Sequence, residues 1–131
     1  MAKMPKEVMD LLNDREASKV IATVDAKGIP NVAPKGSLIA IDEKTIAFAD
    51  ILGGKTRANI EANKKVAVAV IKQRTGYQVK GTLTEFQTSG PVFDNYIKMF
   101  KPMGMTPKAA GIIKVEEVYA LSPADAGKKL S

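Results

Sequence analysis

Two short loops limit what this chain can become more than any other feature. Asp25-Ala26-Lys27-Gly28 separates Lys19-Val20-Ile21-Ala22-Thr23-Val24 from Ile29-Pro30-Asn31-Val32-Ala33, and Asp42-Glu43-Lys44 separates Leu38-Ile39-Ala40-Ile41 from Thr45-Ile46-Ala47-Phe48-Ala49. Runs rich in β-formers joined by so few residues read as hairpins, with Gly28 available for a positive φ. Further along, residues 65–71 alternate large and small apolar residues: Val66, Val68 and Val70 on one face, Ala67 and Ala69 on the other. That pattern predicts a strand buried on both faces, the small residues on the tighter side of a curved sheet. Residues 77–86 form a longer strand with Gly81 as a bulge or bend. A last strand covers 110–121, and 122–131 is a polar tail.

Helices punctuate the strands. Met4, Val8, Leu11 and Leu12 recur at helical spacing around residues 6–13 within an N-terminal helical segment, 1–17. Gly90-Pro91 opens another helix with proline at its favoured first position and an apolar stripe of Val92, Phe93, Tyr96, Ile97 and Phe100. The whole predicts one domain, 1–131, mainly β (α+β): a small antiparallel barrel of six to seven strands with two to three peripheral helices.

Composition narrows the chemistry. Among 131 residues there is no cysteine and no histidine. Disulfides, thiolate chemistry, the usual zinc sites, Ser-His-Asp catalysis and the commonest general base are therefore absent. Redox or group-transfer chemistry would have to come from a bound cofactor. The net charge is +6, but the cations are mostly dispersed lysines, with arginine only at Arg15, Arg57 and Arg74, and aromatics are 5%. That footprint argues against nucleic acid. No apolar run reaches membrane length and no signal-peptide pattern is present, so a cytoplasmic protein is expected.

One segment suggests a ligand. From Ile46 to Asn59 an apolar strand passes through Gly53-Gly54 into a helix whose first turn carries Lys55, Thr56 and Arg57. Exposed N–H groups, the positive end of the helix dipole and adjacent cations suit a phosphate. Ala49-x-x-x-x-Gly54-Lys55-Thr56 approaches a P-loop, yet it has alanine for the first glycine, hairpin-linked strands around it and a following strand that ends in Lys72. On the residues alone, a phosphate cradle and a plain flexible connection with Thr56 as N-cap both stand.

The run from Phe48 to Asn63 resembles the strand–helix segment of the pyridoxamine 5′-phosphate oxidase-like, FMN-binding split-barrel family, as does Gln78-Val79-Lys80-Gly81-Thr82-Leu83-Thr84 followed by Ser89-Gly90-Pro91-Val92-Phe93. It is most similar to the small FMN-binding proteins of anaerobic bacteria, and the resemblance spans 18–118. It implies a split barrel that binds FMN at a homodimer interface. Lys55 and Thr56 would hold the phosphate, with Lys35 at or next to a second basic contact. Gly36 and Ser37 would let backbone groups approach the ring edge, Ala49 and Asp50 would meet the ring through their backbone, and Gln78 would hydrogen-bond it. Without the resemblance, Lys35 reads as a surface lysine, Gln78 as the polar face of a strand, and Arg57 as solvent-facing. Asp50 would oppose the charge of reduced flavin and lower its potential. Tyr77 or a partner's aromatic would stack on the ring. Met99, Met103 and Met105 would line the cleft or fill core gaps.

The family's histidine and arginine set for the substrate's own phosphate is missing here, which argues against pyridoxamine phosphate oxidation. The expectation is a flavoprotein that moves electrons or a hydride to a small-molecule or protein partner. A non-enzymatic FMN- or anion-binding module is the alternative, and a haem role lacks its usual histidine ligand.

Overall fold

The computed structural model describes residues 2–131. Its elements run α1 (Lys6–Leu12), β1 (Ser18–Val24), β2 (Pro30–Pro34), β3 (Ile39–Asp42), β4 (Thr45–Asp50), α2 (Gly54–Ala62), β5 (Lys65–Lys72), β6 (Thr75–Gln87), α3 (Pro91–Phe100), a 3₁₀ turn (Lys101–Met103) and β7 (Ala109–Ala120). All seven strands join one sheet in the order β2-β1-β5-β6-β7-β4-β3, and every pairing is antiparallel. The sheet is that of a split barrel, with β2 and β3 as its edges. The antiparallel surroundings of β4 also remove the parallel setting that a P-loop needs.

Turn chemistry works as the sequence predicts. Gly28 sits at φ 83°, and the Asp25 carboxylate accepts the N–H groups of Lys27 at 2.8 Å and Ile29 at 2.9 Å. Those bonds, Ile29's foremost, hold the Asp25 carboxyl below its usual pKa. The register of β6 against β7 shifts at Lys80/Gly81, so Gly81 is indeed a bend. A Cβ there would run into the Lys114 carbonyl.

Inside the curve, Ile21, Val68, Val70, Val79, Ile113 and Val118 form the centre of the main core, and Val8 and Leu12 of α1 close it. Ile60 seals it from α2. A second cluster lies on the other side of β4 and β7, where Tyr96 of α3 covers Ala47, Ala49 and Ala110. β4 is therefore buried on both faces. The expectation of two buried faces, made for residues 65–71, does not hold for β5: Ala67 and Ala69 are only half-buried, because no helix among the described residues covers that side. The segment 122–131 is polar, yet it folds back: Leu130 N–H donates to Val118 O at 2.7 Å and Leu130 packs on the core.

Gly111 of β7 makes room for the Phe48 ring. A Cβ there would overlap the Phe48 ring, so Gly111→Ala should lower stability by about 1–3 kcal/mol through overpacking. Phe48→Leu in the same chain should recover part of the loss. Urea midpoints check this, and an unshifted midpoint for Gly111→Ala would refute the contact.

Candidate functional site

A cleft of about 1340 Å³ opens between the β2–β3 loop, the end of β4 and the α3 side of the molecule. Lys35, Gly36, Ser37 and Ala49 line it, and Gly53, the residue that caps α2, lies at its edge. Four residues singled out by sequence thus meet in one place. Ser37 organises this wall. Its hydroxyl accepts the Ala49 N–H at 2.9 Å, and its carbonyl accepts the buried Tyr96 hydroxyl at 2.7 Å. Accepting from Ala49 leaves the Ser37 hydroxyl hydrogen to donate elsewhere. Burial pushes the Tyr96 phenol pKa well up, so it remains a donor. Lys35 Nζ lies 5.5 Å from the centre of the Phe48 ring. Burial lowers the Lys35 pKa, and the nearby Asp50 charge opposes that shift.

The start of α2 is opened by two glycines. Gly53 and Gly54 take φ values of 72° and 68°, a left-handed pair that reverses the chain from strand to helix. No side chain caps the helix and its first turn holds no acid, so the first N–H groups await acceptors. Lys55 is mostly exposed, its Nζ 3.9 Å from the Asp25 carboxylate. Thr56 is buried, and its hydroxyl accepts from Asn31 Nδ2 at 3.2 Å. Asn59 Nδ2 and Asn31 Nδ2 both donate to Thr23, at 3.1 and 3.3 Å. This Thr23–Asn31–Thr56–Asn59 cluster fixes α2 on β1 and β2. Sequence reasoning missed it, because its members are dispersed and only the fold joins them.

Asp50 and Arg57 depart from the sequence reading. Arg57 does not simply face solvent: its guanidinium pairs with Asp50, bonds Glu61 at 2.6 Å through Nε, and stacks 3.6 Å above the Phe86 ring. The Asp50 charge is thereby compensated within the chain, which weakens the expected effect on a flavin potential. Tyr77 packs against the main core instead of reaching the cleft; the cleft's own aromatics are Tyr96 and Phe100. Met99, Met103 and Met105 do line the cleft. Gln78 lies elsewhere, on the outer face of β6 between Ala69 of β5 and Tyr119 of β7. Among the described residues no group of three Asp or Glu could hold a metal.

The family model for pyridoxamine 5′-phosphate oxidase matches residues 4–122. The chain belongs to the pyridoxamine 5′-phosphate oxidase family. Among solved structures, HupZ of Group A Streptococcus is 37% identical over 95% of this chain and 98% of its own, with a TM-score of 0.81. An FMN-binding protein from Syntrophomonas wolfei subsp. wolfei is 24% identical over 87% of this chain and 83% of its own, with a TM-score of 0.80. HutZ, a heme storage protein from Vibrio cholerae, is 14% identical over 90% and 94%, with a TM-score of 0.63. The last two show likeness of fold alone. No curated protein matches the chain. The fold of this family member therefore agrees with the split barrel expected from Phe48 to Asn63 and from Gln78 to Phe93.

Removing Arg57 strands a carboxylate that is 2% exposed. Because Arg57 itself is 30% exposed, Arg57→Leu should destabilise by about 1–3 kcal/mol rather than the larger loss of a fully buried pair. Asp50→Asn/Arg57→Leu should be more stable than Arg57→Leu alone. If the double variant unfolds at the lower urea concentration, the pair has been misread.

Proposed function

We propose that this chain is an FMN-binding flavoprotein that transfers electrons or a hydride and works as a homodimer. The single observation that carries the reading is the meeting of an uncapped, glycine-opened helix start with the Lys35–Ser37 wall along one cleft edge. Membership of the family supports it, as does the shared fold of the FMN-binding protein from Syntrophomonas wolfei. The residues fit the group. Gly54 and Gly36 each leave open space where a Cβ would stand, so phosphate and ring can approach backbone. No Asp or Glu lines the cleft, and at the helix start the acid beside Lys55 is Asp25.

Each residue then has a task. Lys55 and the first N–H groups of α2 bind the phosphate, and the Thr56 hydroxyl, already accepting from Asn31, can still donate to it. Lys35 supplies a second cation whose charge Asp50 helps to hold. Ser37 and Ala49, locked to each other and to Tyr96, present a rigid edge to the ring. FMN supplies the redox chemistry; the chain supplies no histidine or cysteine for acid–base or nucleophilic work. Pyridoxamine phosphate oxidation is not part of the proposal, since Arg57 is committed to Asp50 and histidine is absent.

The outer sheet face supports dimerisation. Val20, Ala22, Ala67 and Ala69 are mutually paired across β1 and β5, and Val32, opposite Ala22, is 65% exposed. Gln78 stands in the same row as Val20 and Ala69. It can contribute to a flavin site only if this face meets a second copy's cleft edge. Light scattering on a sizing column should return a dimer mass for the native chain and a monomer mass for Ala67→Glu/Ala69→Glu, whose side chains lie outside the core. A native monomer would remove the interface.

The visible spectrum tests the cofactor. Protein loaded with FMN and desalted should keep flavin absorbance, and Lys55→Ala/Thr56→Ala should lose it, because each charge-assisted bond to phosphate is worth about 1.5–3 kcal/mol. Protein that emerges colourless would end the flavin reading and leave a non-enzymatic anion-binding module; a haem band would point instead to a role like that of HutZ, the heme storage protein that shares the fold.

A further inference from the structure

We propose that the cleft holds a carboxylate subsite made by Lys19 and Arg15, and that it takes a flat apolar acid whose body lies against Met99, Phe100, Met103 and Met105. Its role as the site of the flavin's second substrate rests on the flavin reading above. The anion site itself stands on this chain alone.

Lys19 is the observation that points to a ligand. It lies on β1 in the cleft wall and is 7% exposed. Its ammonium donates one bond, to the Leu38 carbonyl at 3.0 Å, whereas an ammonium carries three N–H groups. Among the described residues no carboxylate comes within ion-pair distance of it. The acid whose field reaches it is Asp14, and Asp14 is held by Lys72 at 2.8 Å, which also draws Glu16 to 3.5 Å. The two acids that flank Arg15 in sequence are thus both drawn to Lys72. Arg15 lines the same cleft, exposed and without a carboxylate partner among the described residues. A buried ammonium with one neutral partner is an under-compensated charge, and an arriving carboxylate would supply what it lacks.

The rest of the cleft sets the remainder of the ligand. Lys35 and Lys98 add positive charge, and no acid lines the walls. The end of α3 and the turn after it put Met99, Phe100, Met103 and Met105 in the cleft lining, a soft surface that adapts to aromatic faces. The volume of about 1340 Å³ exceeds the roughly 300–1,000 Å³ usual for one small ligand, so a flavin ring at Ser37 leaves room for a second molecule. Lys55 and Thr56 do not line this space. The subsite is therefore separate from the phosphate position.

Calorimetric titration with 2-naphthoate, and with neutral 2-naphthamide as control, tests the subsite on both FMN-loaded and flavin-free protein. Naphthoate should bind on the order of tenfold more tightly than naphthamide, as a charge-assisted bond implies. Lys19→Met and Arg15→Gln should each remove most of that preference while naphthamide affinity stays put. Arg15→Gln alters an exposed side chain and keeps the test valid should Lys19→Met fold poorly. Equal affinity for acid and amide, or a preference that survives both variants, overturns the proposal. Naphthoate binding that depends on Lys19 in a protein that never retains FMN would support the anion site and reject its assignment as a flavin substrate site. Retained FMN with no naphthoate preference would leave the flavin reading standing and reject the subsite.

Discussion

Phe48 can pack against β7 only because Gly111 has no side chain, and the helix start is assembled from that contact outward. Phe86 of β6 meets Phe48 edge-on, with ring centres 6.2 Å apart. Arg57 of α2 stacks on Phe86 and pairs with Asp50, the last residue of β4. A continuous path of packing thus leads from the interior of the barrel to the first turn of α2. It decides where Gly53 and Gly54 turn the chain and where the helix N–H groups point. An aromatic stack is a sound base for such a site, because rings lose little side-chain entropy and hold their neighbours over a broad area.

The wall opposite depends on a different economy of space. β4 lies between the main core and α3, so Ala47 and Ala49 must be small where Tyr96 covers them, while Ile46 and Phe48 fill the other side. Tyr96 then does two things at once: it packs on alanine and it donates to the Ser37 carbonyl. The β2–β3 loop, which carries Lys35 to Ser37, is consequently tied to a helix more than fifty residues distant in sequence. The cleft is bounded on one side by a rigid hydrogen-bonded wall and on the other by flexible thioethers. That pairing suits a site that fixes one ligand and accommodates another.

Much of this was legible in the chain. Hairpin loops, the proline-opened α3, the bend at Gly81 and the glycine-to-helix junction are local signals, set by residues within a few positions of one another. What could not be read was long-range. Arg57 looks like a solvent residue from its helical position, because Asp50 and Phe86 reach it only after β4 and β6 have joined the same sheet. Lys19 alternates in a strand like any other residue, and nothing nearby in sequence shows that its ammonium is enclosed. The buried cluster of Thr23, Asn31, Thr56 and Asn59 spans four separate stretches of chain. Ala67 and Ala69 misled in the other direction: small apolar residues signal a close neighbour, and within one copy of the chain there is none.

The returning segment after β7 has its own implication. Val118 N–H donates to the Ser131 carbonyl at 3.0 Å, and the Lys3 N–H meets the Ser131 hydroxyl at 2.9 Å. Lys3 and Ser131 are thus neighbours. The pairing of residues 128–131 with β7 adds one more backbone ladder to a strand that already carries β6 and β4.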